Sequence, residues 1–119
     1  MGVDVDRVQV SCFDVRVLKL GRTVSIAPSG ELDLSTLPQV ETQIAEVLAN
    51  SPGTLVIDLM RVTFLDSAAI RMLLGIDQLS VEGSFAFVLL PGPPAVQRAF
   101  AIAGVLDRLP LEGAGRTLN

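Results

Sequence analysis

The chain has no histidine, no tryptophan and no tyrosine, and Cys12 is its only cysteine. Without histidine there can be no Ser-His-Asp triad, no imidazole metal ligand and no histidine pH switch. One cysteine allows neither an intrachain disulfide nor a cysteine-based zinc site. Aromatics make up 4% of the residues, so the core must be built from Leu, Val, Ile and Ala. Basic residues are also scarce, 9 against 13 acidic ones, for a net charge of −4. That balance argues against a nucleic-acid binder, which needs a basic footprint to displace counterions, and against docking on anionic lipid through clustered Lys and Arg. Long hydrophobic runs are missing too. The longest is Phe85 to Leu90, whereas a membrane span needs about 20 residues. The acidic start, Met1 to Asp6, lacks the basic and apolar regions of a signal peptide. Gly2 is followed by Asp6 where a myristoylation signal has Ser or Thr. A cytoplasmic protein with no membrane segment is expected.

What is present suits one domain. A chain of 119 residues is about one domain long and hides roughly two-thirds of its surface on folding; half of its residues are hydrophobic. The expected domain is the whole chain, 1–119, with a core over about residues 9–111 and flexible termini. Val8, Val10 and Cys12 alternate, then Phe13, Val15 and Val17 on the opposite parity, which reads as a strand with a bulge or with both faces partly covered. Gly21-Arg22 turns into a second strand over Thr23 to Ala27, which Pro28 is expected to end or place at an edge. Ser35 or Thr36 can cap a helix with Pro38 in its first turn. Leu37, Val40, Ile44, Val47 and Leu48 follow at helical spacing.

Thr54 to Leu59 has the short apolar run of a strand covered on both faces. A short connection is expected to lead to Asp66-Ser67, which can cap a second helix burying Ala69, Met72, Leu73, Ile76 and Leu79. A strand over Phe85 to Leu90 follows. Pro91 to Pro94 then open a third helix carrying Val96, Ala99, Phe100 and Ala103, ended by Gly104. Leu106, Leu109 and Leu111 read as a final short element. Strands alternating with helices after an initial hairpin predict an α/β domain. The expected architecture is a mixed sheet of four to five strands with helices packed mainly on one face.

Catalytic and cofactor motifs fail on inspection. Gly113-Ala114-Gly115 has no third glycine and no preceding strand, and no GxxxxGK[ST] loop exists. Asp4 and Asp6 form a DxD pair at the terminus, where a structural role is the simpler reading. The carboxylates Glu31, Asp33, Asp58 and Asp66 fall near element ends. There they could serve acid–base chemistry or hold a cation, but turn and cap chemistry is the ordinary use of such residues. No catalytic residue, cofactor or metal is therefore expected. The sharpest feature is Asp58 to Ile70, where Ser67 lands at or beside a helix start, near free N–H groups and the positive end of the helix dipole. Phosphate is well accommodated in such a place; a plain helix cap is the alternative.

Gly30-Glu31-Leu32-Asp33, Val56-Ile57-Asp58-Leu59 and Val62-Thr63-Phe64-Leu65-Asp66-Ser67, with the later strand Phe85 to Leu90, Pro91 and the helix ending at Gly104, resemble the STAS domain of bacterial anti-sigma factor antagonists over roughly residues 9–111. The resemblance implies a STAS-like domain that is not an enzyme and makes Ser67 the phosphoacceptor of an ATP-binding anti-sigma factor serine kinase. It places Asp33, Asp66, Ser67, Ala68 and Arg71 at the partner surface. The unphosphorylated form would bind the anti-sigma factor and free the sigma factor, the phosphorylated form would let go, and a serine phosphatase is the candidate for reversal. Ala68-Ala69 stand where the family has Ser or Thr and then Gly, so a methyl at Ala69 is expected where a partner backbone could approach closely. The alternative is a non-switching STAS scaffold or subunit of a signalling or lipid-transport assembly. No direct nucleic-acid or membrane partner is expected, and the chain should be a monomer or weak dimer.

Overall fold

The computed structural model describes residues 13–111. Val8, Val10, Cys12, the Asp4–Asp6 pair and Gly113 to Asn119 lie outside the described residues. Strands β1 (Asp14–Leu20) and β2 (Thr23–Leu32) are followed by helix α1 (Leu37–Ala49), then β3 (Thr54–Asp58), β4 (Arg61–Leu65), α2 (Ser67–Glu82), β5 (Ala86–Leu90), α3 (Pro94–Ala103) and a short 3-10 turn, Leu106–Arg108. The five strands form one mixed sheet in the order β1-β2-β3-β5, with β4 also paired to β2. β1 runs antiparallel to β2 through the turn at Gly21-Arg22. All other pairings are parallel; parallel strands need long crossovers, which the helices supply.

The second strand differs from the expectation. It runs through Pro28 to Leu32, in the middle of the sheet. Its parallel partner changes along its length: β3 pairs with Thr23 to Ile26, and β4 pairs with Ser29 to Leu32. Ala27 and Pro28 fall in the gap between the two ladders, so the missing proline N–H breaks no parallel pairing. Arg61 to Leu65, expected as a connection, is the strand that fills the second half. Gly30, at φ +112°, takes a backbone conformation that L side chains avoid. The ladder shifts register at that point: Gly30 pairs with Val62 and Glu31 with Phe64. After the shift Leu32 pairs with Leu65, so β2 and β4 end side by side.

Val24, Ile26, Leu55, Ile57, Phe87 and Leu89 line the buried face of the sheet and share one core with Val40, Ile44, Leu73, Ile76, Val96 and Phe100 from the helices. Each such side chain stabilises the fold by about 1.5–3 kcal/mol. Among the described residues no polar or charged one is buried. The helical stripe of α2 is rotated from the expected one: Ile70 is buried, while Leu79 is 49% exposed. The buried positions of the second helix, Ala69, Ile70, Leu73 and Ile76, all lie in its first three turns. Ala103 is likewise exposed, whereas Leu109 and Leu111 are buried, and Leu111 bridges to Leu89 at the β5 edge. Gly92 is set by close approach: a Cβ there would lie 2.8 Å from the Leu59 carbonyl oxygen. No helix among the described residues is long and apolar enough to cross a membrane.

Candidate functional site

Because β2 and β4 end together, Asp33 and Asp66 emerge as neighbours, each the first residue after its strand. The Asp66 N–H donates to the Leu32 carbonyl at 3.3 Å, which continues the ladder one step. From there the two segments diverge. After Asp33 the chain makes a tight turn before α1. Asp33 Oδ1 accepts from the Ser35 hydroxyl at 2.7 Å and from the Ser35 and Thr36 amides at 3.0 and 3.3 Å. Thr36 Oγ1 accepts from the Asp33 N–H at 3.0 Å and donates to the Glu31 carbonyl at 2.8 Å. Thr36 is thus the residue that precedes the helix, but its side chain ties the turn rather than capping α1. The Ser35 hydroxyl does most to hold the Asp33 carboxyl below its ordinary value of 3.8; desolvation opposes it, and the Ser35 and Thr36 amides and the Thr36 hydroxyl add smaller lowering effects.

At the second start the helix begins at once. Asp66, in extended conformation, caps α2: its Oδ1 accepts from the Ala69 N–H at 3.0 Å. Its other oxygen, Oδ2, accepts from the Leu34 N–H at 3.1 Å and so ties the two segments together. Ser67 is the first helical residue and is exposed. Its hydroxyl has no hydrogen-bond partner among the described residues, since the cap comes from Asp66. Ala68 is half-buried, and Arg71 is exposed one turn further along the same helix. Ala69 is fully buried; its methyl packs into the core and does not stand on the outer surface, contrary to the close-approach expectation.

The site thus brings together Asp33, Asp66, Ser67 and Ala68, with Arg71 along the helix face. Asp58 is separate: its Oδ1 accepts from the Met60 N–H at 2.9 Å within the β3–β4 turn. Glu31 is exposed on β2. The described residues contain no group of three or more Cys, Asp or Glu that could hold a metal ion. A cavity of about 210 Å³, lined in part by Lys19, Arg22, Asn50 and Ser51, lies at the opposite end of β2. Sequence reasoning missed Leu34, 72% exposed between Asp33 and Ser35, and Phe64, 51% exposed on β4. The one signal for Leu34 was an apolar residue enclosed by turn-forming ones.

Comparison with known proteins covers the same span. A family model described as "Mlab, STAS domain" matches residues 15–111. RsfB, an anti-sigma-F factor antagonist of Mycobacterium tuberculosis (strains CDC 1551 / Oshkosh and H37Rv), is 39% identical over 71 residues, 57% of this chain and 52% of RsfB. The chain therefore spans about half the length of the curated relatives it matches. The crystal structure of an anti-sigma factor antagonist from Mycobacterium paratuberculosis superposes with a TM-score of 0.72 at 30% identity, covering 85% of this chain and 86% of that one. The unphosphorylated form of SpoIIAA, a Bacillus cell fate determinant, superposes with a TM-score of 0.69 at 21% identity, covering 88% and 93%, a likeness of fold.

Proposed function

The chain belongs to the STAS domain family, and on that premise we propose that it is an anti-sigma factor antagonist switched at Ser67. It acts by binding rather than by catalysis: the unmodified domain docks on an ATP-binding anti-sigma factor serine kinase through Asp33, Asp66, Ser67, Ala68 and Arg71, and a sigma factor is freed. The observation that carries the reading is the exposed Ser67 hydroxyl. It stands free in the first turn of α2 because Asp66 supplies the cap. Similarity to mycobacterial anti-sigma factor antagonists supports the partner class.

In the switching step Ser67 Oγ forms a bond to the γ-phosphorus of ATP, the bond from that phosphorus to the bridging oxygen breaks, ADP leaves, and the hydroxyl proton passes to a base of the kinase. The phosphate adds about −1.5 to −2 charges. Within the free domain the helix N-terminus offsets much of that charge, so the domain stays folded. At the partner surface the same group must lose its water beside Asp66, and docking fails. Any effect on transcription passes through this protein contact, since a domain of net charge −4 lacks the footprint for DNA.

Intact mass before and after incubation with candidate kinases and ATP tests the proposal. One phosphate on the parent and none on Ser67→Ala is the expected result. If the Ala and Asp variants at 67 bind the partner equally well and no kinase modifies the parent, Ser67 is not a switch and the domain is a non-switching scaffold.

A further inference from the structure

We propose that Asp66 is the positioning residue through which the state of Ser67 controls Leu34, and that Leu34 is the apolar anchor the domain offers to a partner pocket rimmed by basic side chains. The inference rests on the reading of Ser67 given above. One carboxylate joins two segments far apart in sequence: Oδ1 accepts from the Ala69 N–H at 3.0 Å and Oδ2 from the Leu34 N–H at 3.1 Å. Among the described residues, the second is the single hydrogen bond from the 33–36 turn to Asp66 or α2. The turn is otherwise closed by its own bonds through Asp33 and Thr36. Losing the tie therefore lets it shift as a unit without unravelling.

Leu34 keeps 72% of its surface in water, and such apolar surface gains free energy when a partner covers it. It projects from between Asp33 and Ser35, beside the Asp66 cap, so a pocket that receives it meets carboxylates at its rim. Among the described residues no cation pairs with Asp33 or Asp66. Charge complementarity then calls for Arg or Lys around an apolar floor.

A phosphate on Ser67 brings a dianion into the first turn, where the Ser67, Ala68 and Ala69 N–H groups point. It competes with Asp66 Oδ1 for the Ala69 N–H and repels the carboxylate. Once that carboxylate turns away, the Leu34 N–H loses its acceptor and the anchor leaves its place beside the helix. Docking then loses its apolar contact.

Asp66→Asn separates the two bonds. Asn caps a helix about as well as Asp, but its NH₂ group cannot accept from the Leu34 N–H. The experiment follows the Leu34 amide proton by NMR in the free chain, with phosphoserine installed at 67 during translation so that no kinase is needed. Phosphoserine and Asp66→Asn should each shift that proton and speed its exchange about fivefold to tenfold, the equivalent of one lost hydrogen bond. Phosphoserine in the Asp66→Asn background should change it no further. An unmoved Leu34 amide in the phosphoserine chain overturns the coupling, and so does a second, additive shift on top of Asp66→Asn. Leu34→Ala should lower affinity for the purified kinase about tenfold with the melting temperature unchanged; undiminished binding overturns the anchor. Failure of every kinase to modify Ser67 sinks the reading of the switch, while the coupling still stands or falls on the amide.

Discussion

The two helix starts at this end of the sheet are written in similar residues and do opposite things. Leu32-Asp33-Leu34-Ser35-Thr36 leads into α1, and Leu65-Asp66-Ser67-Ala68-Ala69 leads into α2. In the first, the hydroxyls of Ser35 and Thr36 are spent on Asp33 and the Glu31 carbonyl. In the second, Asp66 alone satisfies a helical N–H and Ser67 keeps its hydroxyl free. The cause is the length of the lead-in. Four residues separate β2 from α1, enough for a turn that folds back on its own side chains. Only Asp66 separates β4 from α2, so the serine is already helical and its hydroxyl makes no bond to its neighbour's carboxylate among the described residues. A serine beside an aspartate is thus closed or open according to where the helix begins.

The largest expected contrast is in phosphate uptake. With a cognate kinase and ATP, Ser67→Ala should abolish incorporation measured by intact mass, whereas Ser35→Ala should leave it at the parent level. Incorporation that survives Ser67→Ala and disappears with Ser35→Ala would invert the comparison.

Next in size is the cap. Asp66→Ala removes both carboxylate bonds and should cost about 0.5–2 kcal/mol in urea unfolding, while Asp66→Asn should recover most of the cap's share. Equal losses for the two variants would mean that the Leu34 tie carries the stability and the cap little.

Thr36→Val should cost about 1 kcal/mol by the same measurement, since it removes two hydrogen bonds that hold the first start closed. Ser67→Ala should stay within about 0.5 kcal/mol of the parent, because no described group bonds to that hydroxyl. A loss at position 67 as large as that at 36 would show that both starts are closed.

The smallest effect is in titration. Asp33 has its folded carboxyl below the ordinary value of 3.8, chiefly through the Ser35 hydroxyl. A carboxyl lowered on folding contributes stability above its unfolded pKa and loses it as pH falls through the folded value. The turn before α1 should therefore loosen only below about pH 4, and Ser35→Ala should raise the Asp33 pKa toward its ordinary value. Carbon-detected NMR titration of both proteins reads this directly; an unchanged pKa would show that the backbone amides hold Asp33 without Ser35.

Much of this was legible along the chain. The alternation of apolar runs with Gly and Pro located four of the five strands and all three helices, because those signals are local: period, caps and breakers act within a few residues. β4 was not legible. Asp58 marks a turn before it, but Arg61 to Leu65 is only 5 residues long and its partner, the second half of β2, lies far back in the chain. Pro28 misled for the same reason. A proline stops a strand only where its absent N–H would have had a ladder to join, and the gap between the β3 and β4 registers lies elsewhere in the sequence. In the site, Ser67 and Asp66 stood out as a helix start, but which of them caps depends on the first residue with helical backbone. Leu34 could not be ranked at all, since exposure and the bond from its N–H to Asp66 belong to a contact across 32 positions.

The residues in order were enough to determine an aliphatic α/β domain, an acidic surface and a serine at the start of a helix after a strand. Those follow from composition and from interactions between neighbours in the chain. Only the folded sheet decided that β2 and β4 end in register, that the two aspartates emerge together, and that one carboxylate spans both segments. Each of these depends on pairing between distant strands. Such pairing is set by packing of the common core and by the register shift at Gly30, and local spacing carries no record of it.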